Sequence, residues 1–246
     1  MLKIENFEVL GWEHAIRGMR NPMNSWEKSD SNFFDDSEGH VCNICQGRGS
    51  MSLIEMGHND YALMKNLRNA GTDHRKFMRM ITVYLDITGP LYWWKEFDTY
   101  RVGVEKNSCS TMHKIHAKEF TLEDFSCEHL LEQKDVNLPD DSCCNWNWEG
   151  CGIIAPIDIL EETISMLNTA RKMFLETNDK KYWWQMIQLL PTSYNQKRTV
   201  MLNYEVLANI YKSRRNHKLD EWHTFCDWIS ELPYSELITG KEYDVE

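Results

Sequence analysis

The stretch EFDTYRVGVEKNSCSTMHKI, from Glu96 to Ile115, sets carboxylates, hydroxyls, one arginine and one histidine directly behind the strongly apolar GPLYWW. Such a run supplies hydrogen-bond donors and acceptors, and a guanidinium able to meet an anion in two parallel bonds. Cys109 lies within it, but nearness to Arg101 in sequence does not by itself make a reactive thiolate. A second polar set, Asn203, Asn209 and Arg214, lies in NQKRTVMLNYEVLANIYKSRR. Read as one helix at about 100° per residue, this segment puts Asn203, Leu207, Ile210 and Arg214 on nearly the same face, with Asn209 roughly a third of a turn away. Two readings are open: a polar pair set into an apolar stripe to meet a ligand, or Asn203 satisfying a backbone group and Arg214 making a salt bridge at the helix C-terminus.

The cysteines offer a third possibility. Cys42-Asn-Ile-Cys45 has the spacing of half a zinc site, with Cys143, Cys144 and Cys151 as possible completing ligands. The second group contains no matching C-x-x-C pair, so ordinary loop cysteines are the competing reading, and no metal is assigned.

These side chains need elements to hold them. RMITVYLDI alternates Ile81, Val83, Leu85 and Ile87 against Met80, Thr82, Tyr84 and Asp86, the period of a strand with one apolar face. Gly89-Pro90 ends it, and LYWWKEFDTY has the aromatic density of a buried helix. Upstream, residues 52–70 place Leu53, Met56, Ala62 or Leu63, and Leu67 at roughly helical intervals before Gly71. Residues 1–50 show no clean periodicity and read as an irregular extension of short elements and a long excursion. Residues 117–158 read as a loop-rich insertion. From Leu160 the stripe Ile164, Leu167 and Phe174 predicts a helix, and LDEWHTFCDWISELP closes a helical series.

At 246 residues and 42% hydrophobic content the chain can build one substantial core, and a single domain over 1–246 is expected. A net charge of −11 argues against a nucleic-acid partner, which would require clustered lysine and arginine. The N-terminal MLKIENFEVLGWEH lacks a basic and an apolar region, and no apolar run is long enough to span a bilayer. A cytoplasmic protein with no membrane partner is expected, its eight cysteines mostly free thiols.

The C-terminal segment LLPTSYNQKRTVMLNYEVLANIYKSRRNHKLDEW resembles the signature of the flavin-dependent thymidylate synthases, with Pro191, Asn203, Asn209 and Arg214 at the family's intervals. LEETISMLNTARKMFLETNDKKYWWQMIQLLP is similar in length and pattern to the helix pair that precedes it. GTDHRKFMRMITVYLDITGPLYWWKEFDTYR resembles the family's path from a glycine-histidine turn through a strand and a proline. The family's Arg-His-Arg falls on Thr99, Tyr100 and Arg101, so one of its three residues survives. Its later asparagine and serine fall on Asn107 and Ser110, with Ser108 in place of a glutamate. Its glutamine before the signature falls on Glu96.

The resemblance implies an α/β (α+β) fold with a mainly antiparallel central sheet and flanking helices, assembled as a homotetramer. It implies FAD as cofactor, with His74, Thr99, Tyr100, Arg101, Asn203, Asn209 and His217 toward it. It implies a pyrimidine nucleotide near Glu96, Ser108, Ser110 and Arg214, with Arg101 and Arg214 in the catalytic centre. The implied reaction is methylation of the nucleotide at C5, dUMP to dTMP or a relative of it, with NADPH and methylenetetrahydrofolate as cosubstrates and no protein nucleophile. Thr99, Met112 and Ile187 stand where the family has arginines, and neither Thr nor Met replaces a planar bidentate donor. A noncatalytic nucleotide-binding or nucleotide-sequestering protein on the same scaffold is therefore the alternative.

Overall fold

The alternation around Ile81–Ile87 becomes strand β4 (Thr82–Pro90), with Val83, Leu85 and Ile87 buried and Tyr84 exposed, as the pattern predicts. In this computed structural model, which describes residues 2–34, 53–132 and 155–240, β4 lies inside a four-stranded sheet. Its order is β1 (Lys3–Leu10), β4, β6 (Asn195–Asn203), β5 (Glu105–Ser108), with β1–β4 and β5–β6 antiparallel. Helices α1 (Trp12–Arg20), α2 (His58–Asn69), α3 (Leu91–Phe97), α4 (Pro156–Thr177), α5 (Lys180–Leu189), α6 (Tyr204–Arg214), α7 (Asp220–Ser230) and α8 (Glu236–Thr239) complete a mixed helix and antiparallel-sheet architecture. A separate pair, β2 (Asn32–Phe34) and β3 (Leu53–Glu55), is antiparallel too. The chain divides into two compact units: residues 1–88, 95–108 and 197–246, and residues 89–94 and 109–196.

In the first unit, residues 3–20 are not irregular but form β1 and α1. The strand hides from sequence periodicity because its pairing with β4 shifts register between Glu5 and Glu8, and Asn6 adopts a positive φ of 52° there. A bulge breaks the period of two, and an edge strand buries little; here only Val9 is buried. Gly11, at φ 92°, turns the chain from β1 into α1, and a Cβ at that position would strike the carbonyl of Met80. The helix expected over 52–70 begins only at His58, after β3. Its first turn is capped from a distance, Asp30 accepting the backbone N–H groups of Asn59 (2.9 Å) and Asp60 (3.1 Å).

The segment NQKRTVMLNYEVLANIYKSRR is not one helix. Its first nine residues are β6, with Gln196, Val200 and Leu202 buried on one face, and the helix α6 begins at Tyr204. Gln, Lys, Arg, Met and Leu favour helix intrinsically, but pairing with β5 and the period-two burial override that preference. Asn203 is thus the last residue of a strand and does not share a helix face with Arg214. Tyr204, Leu207, Ile210, Trp222 and Phe225 are fully buried, and Trp12 meets Tyr204 edge-on at 5.3 Å.

In the second unit α4 and α5 form the expected helix pair, joined through Asn178 in a left-handed conformation (φ 54°), with Asp179 capping α5 by accepting the N–H of Lys181. Ile115, Phe120, Phe125, Leu160, Ile164, Leu167, Ala170 and Met186 form its core. The Asn168 amide holds Phe120 by both backbone groups, at 2.9 and 2.8 Å. Residues 133–154 of the insertion and the cysteines at 42, 45, 143, 144 and 151 lie outside the described residues. Among the described residues there is no cluster of three or more metal-ligating side chains, and no helix is long and apolar enough to cross a membrane.

Candidate functional site

The C-terminal end of α6 carries Arg214 beyond the buried turn that ends in Ile210 and Tyr211, and α3 delivers Glu96 opposite it. Arg214 Nη1 donates to Glu96 Oε2 at 3.0 Å, and its Nε donates to the Tyr100 hydroxyl at 3.0 Å. The guanidinium carbon stands 4.8 Å from the ring centre of Trp222 and 5.7 Å from that of Tyr100, so the arginine lies against two neighbouring aromatic rings. Trp222, completely buried, donates its Nε1–H to the same Oε2 at 3.0 Å. His217 Nε2 lies 3.3 Å from that oxygen, while Nδ1 accepts the backbone N–H of Leu219 at 3.2 Å. Nδ1 is therefore the unprotonated nitrogen and Nε2 carries the ring proton toward Glu96.

Four of the residues singled out in the sequence, Glu96, Tyr100, Arg214 and His217, thus converge in one polar cluster. Trp222 belongs to it as well and was missed. Nothing in LDEWHTFCDW distinguishes Trp222 from Trp228, and only the approach of α7 to α3 brings it in.

A second cluster lies beside the first in the chain. Asp98, just after α3, accepts two bonds from Arg198 Nη1 (2.9 and 3.1 Å) and pairs with Lys106 at 2.8 Å. Burial opposes ionisation of Asp98, but the bonds from Lys106 and Arg198 prevail and hold its carboxyl below the ordinary carboxylate range. Among the other basic residues near these elements, Arg75 is held by Glu205 through Nε–Oε2 at 2.8 Å and Nη2–Oε1 at 3.0 Å. Lys106 is likewise paired, whereas Arg79 is exposed.

The remaining residues are placed separately. Asn203 accepts the N–H of Val206 at 3.0 Å as the N-cap of α6, and its amide nitrogen stands where a Cβ on Gly103 would press, at 2.9 Å. Asn209, His74 and Arg101 are exposed. Thr99 is exposed and donates its hydroxyl to the Glu96 carbonyl at 2.8 Å. Ser108 ends β5 opposite Arg198. In the second unit, the Ser110 hydroxyl accepts the N–H groups of Met112 and His113 and so shapes a turn.

No protein-family model matches the sequence, and no curated protein does. Solved structures do match along their length. A thymidylate synthase X from Helicobacter pylori, determined with FAD and dUMP, superposes with a TM-score of 0.60 over 97% of both chains at 15% identity. A second structure of the flavin-dependent enzyme from that organism, also complexed with FAD and dUMP, gives 0.60 at 16% identity over 96% of this chain and 97% of that one. The fold is that of the flavin-dependent thymidylate synthases. A UMP/dUMP methylase, PolB, from Streptomyces cacaoi, bound with 5-Br dUMP, matches the same thymidylate-synthase-like fold with a TM-score of 0.53 at 11% identity, over 98% of this chain and 95% of that one.

Proposed function

We propose that this protein binds FAD and a pyrimidine nucleotide and methylates the nucleotide at C5. The observation that carries the proposal is the shared fold, over 97% of both chains, with a protein determined with FAD and dUMP, together with Arg214 set against the Trp222 and Tyr100 rings at the end of α6. The donor set suits FAD in kind. Arg101, Asn209 and His74 are exposed, giving a guanidinium for a pyrophosphate and neutral polar groups for a ring edge. Thr99 and Tyr100 flank Arg101, and Asn203 retains its amide nitrogen after capping α6. FAD, when bound, supplies the reduction and one-carbon relay, with NADPH and methylenetetrahydrofolate as cosubstrates. The chain's part is to bind and orient: Arg101 and Arg214 at the catalytic centre, and Glu96, Ser108 and Ser110 around the nucleotide. A homotetramer is part of this reading.

A specific observation favours a second reading. The Arg214 charge is already met by Glu96 at 3.0 Å, which suits a scaffold that binds a nucleotide without transforming it. The experiment is direct. Purified protein is scanned for bound flavin absorbance, then supplied with FAD, NADPH, methylenetetrahydrofolate and dUMP or UMP while methylated product is measured. Flavin with product supports the first reading, nucleotide binding without product the second, and neither flavin nor nucleotide binding rejects both.

A further inference from the structure

Glu96 meets a cation and a buried indole through a single oxygen. One carboxylate oxygen, Oε2, takes the Arg214 Nη1–H and the Trp222 Nε1–H at 3.0 Å each and faces the protonated nitrogen of His217 at 3.3 Å. Trp222 has no exposed surface, so the bond its indole N–H makes to Glu96 is shielded from water. The side chains of Glu96, Arg214 and His217 keep 35%, 20% and 25% of their surface, so the pair is partly shielded from water. Arg214 in turn is fixed by the Tyr100 hydroxyl and by the Trp222 ring. Among the described residues, its Nη2 makes no hydrogen bond and remains the open edge of the guanidinium.

We propose that Glu96 is the specificity-determining residue of this site: as a built-in counter-ion it satisfies the charge of Arg214, so that Arg214 offers its free edge to an uncharged acceptor such as a carbonyl oxygen and disfavours an anionic group there. The inference rests on the nucleotide-binding reading above. An anion approaching Nη2 meets a guanidinium–carboxylate pair of no net charge, and it meets the Glu96 carboxylate as a like charge. A carbonyl needs only the N–H and loses nothing to that repulsion.

The test is the isosteric Glu96→Gln, whose carbonyl oxygen still accepts from Trp222 and Arg214 while the negative charge is gone. Calorimetric affinities of dUMP and of its uncharged counterpart deoxyuridine are compared in the wild-type protein and the variant, with melting temperatures as a control for folding. The expected result is a gain of about tenfold or more for dUMP with deoxyuridine changed by less than about twofold. If Glu96→Gln does not fold, the same comparison is made in the wild-type protein with Arg214→Gln, where the loss for dUMP should be no greater than the loss for deoxyuridine. An unchanged or lowered dUMP affinity in folded Glu96→Gln, or a selective loss of dUMP in Arg214→Gln, overturns the counter-ion role while leaving nucleotide binding intact. Binding of neither compound by any form of the protein overturns both the inference and the reading beneath it.

Discussion

Asn203 Oδ1 accepts the backbone N–H of Val206 at 3.0 Å, so the last residue of β6 is also the N-cap of α6. The cap satisfies one of the donors that an α-helix leaves orphaned at its start. Asn203→Ala should therefore lower unfolding stability by about 0.5–2 kcal/mol, while Asn203→Asp, which keeps the acceptor, should hold most of it. Urea denaturation of the three proteins checks this, and equal losses for both variants would rule out the capping role.

Asp60, in the first unit, is a heavily bonded carboxylate. With no exposed surface, it takes Arg20 Nε and Nη2 at 2.6 Å each, the Ser29 and Ser31 hydroxyls at 2.8 Å, and the Asp30 and Ser31 backbone N–H groups at 3.0 and 3.1 Å. Burial raises its pKa, but the bonds from Ser31, Ser29 and Arg20 outweigh burial and the net shift is downward. A depressed folded pKa stabilises the protein above the unfolded value of about 3.9, and that contribution is lost as pH falls from there through the folded value. Asp60→Asn strands a buried arginine and should cost about 3–5 kcal/mol at pH 7. Denaturant midpoints should show the gap between variant and wild type narrowing below about pH 4.

Cys226 is buried on α7, and burial, helped by the nearby Asp227 charge, pushes its thiol up to about 11. Cys109 is exposed. In native protein at pH 8, iodoacetamide followed by peptide mass mapping should find Cys109 modified and Cys226 intact, with Cys226 reacting only after denaturation. Early labelling of Cys226 would mean that α7 opens readily.

Arg101 is exposed and close in sequence to the Glu96–Arg214 cluster. On the flavin reading, Arg101→Ala should weaken FAD retention by about tenfold or more, the scale of one charge-assisted bond, and leave the melting temperature within about a degree. Flavin absorbance after gel filtration provides the measurement. Unchanged retention would remove Arg101 from the cofactor site.

Elements whose burial is periodic and whose partners are near were legible from the order of residues. The alternation from Ile81 to Ile87 fixed β4, the apolar stripe from Ile164 to Phe174 fixed α4, and the spacing of Pro191, Asn203, Asn209 and Arg214 pointed to the fold the comparisons show. Period and composition are local properties, legible without knowing what lies across the core. The rest depended on contacts made in the folded chain. β1 needed β4 to define it across a bulge, the strand β6 needed β5 to overrule a helical composition, and α2 takes its cap from Asp30, many residues earlier. The partner of Arg214 depended most on the folded chain. Glu96 and Trp222 lie 118 residues before it and on the following helix, and only the approach of α3 and α7 turns one exposed-looking arginine into a neutralised pair. Electrostatic energy depends on the distance and shielding between charges, and the order of residues along a chain specifies neither until the chain has folded.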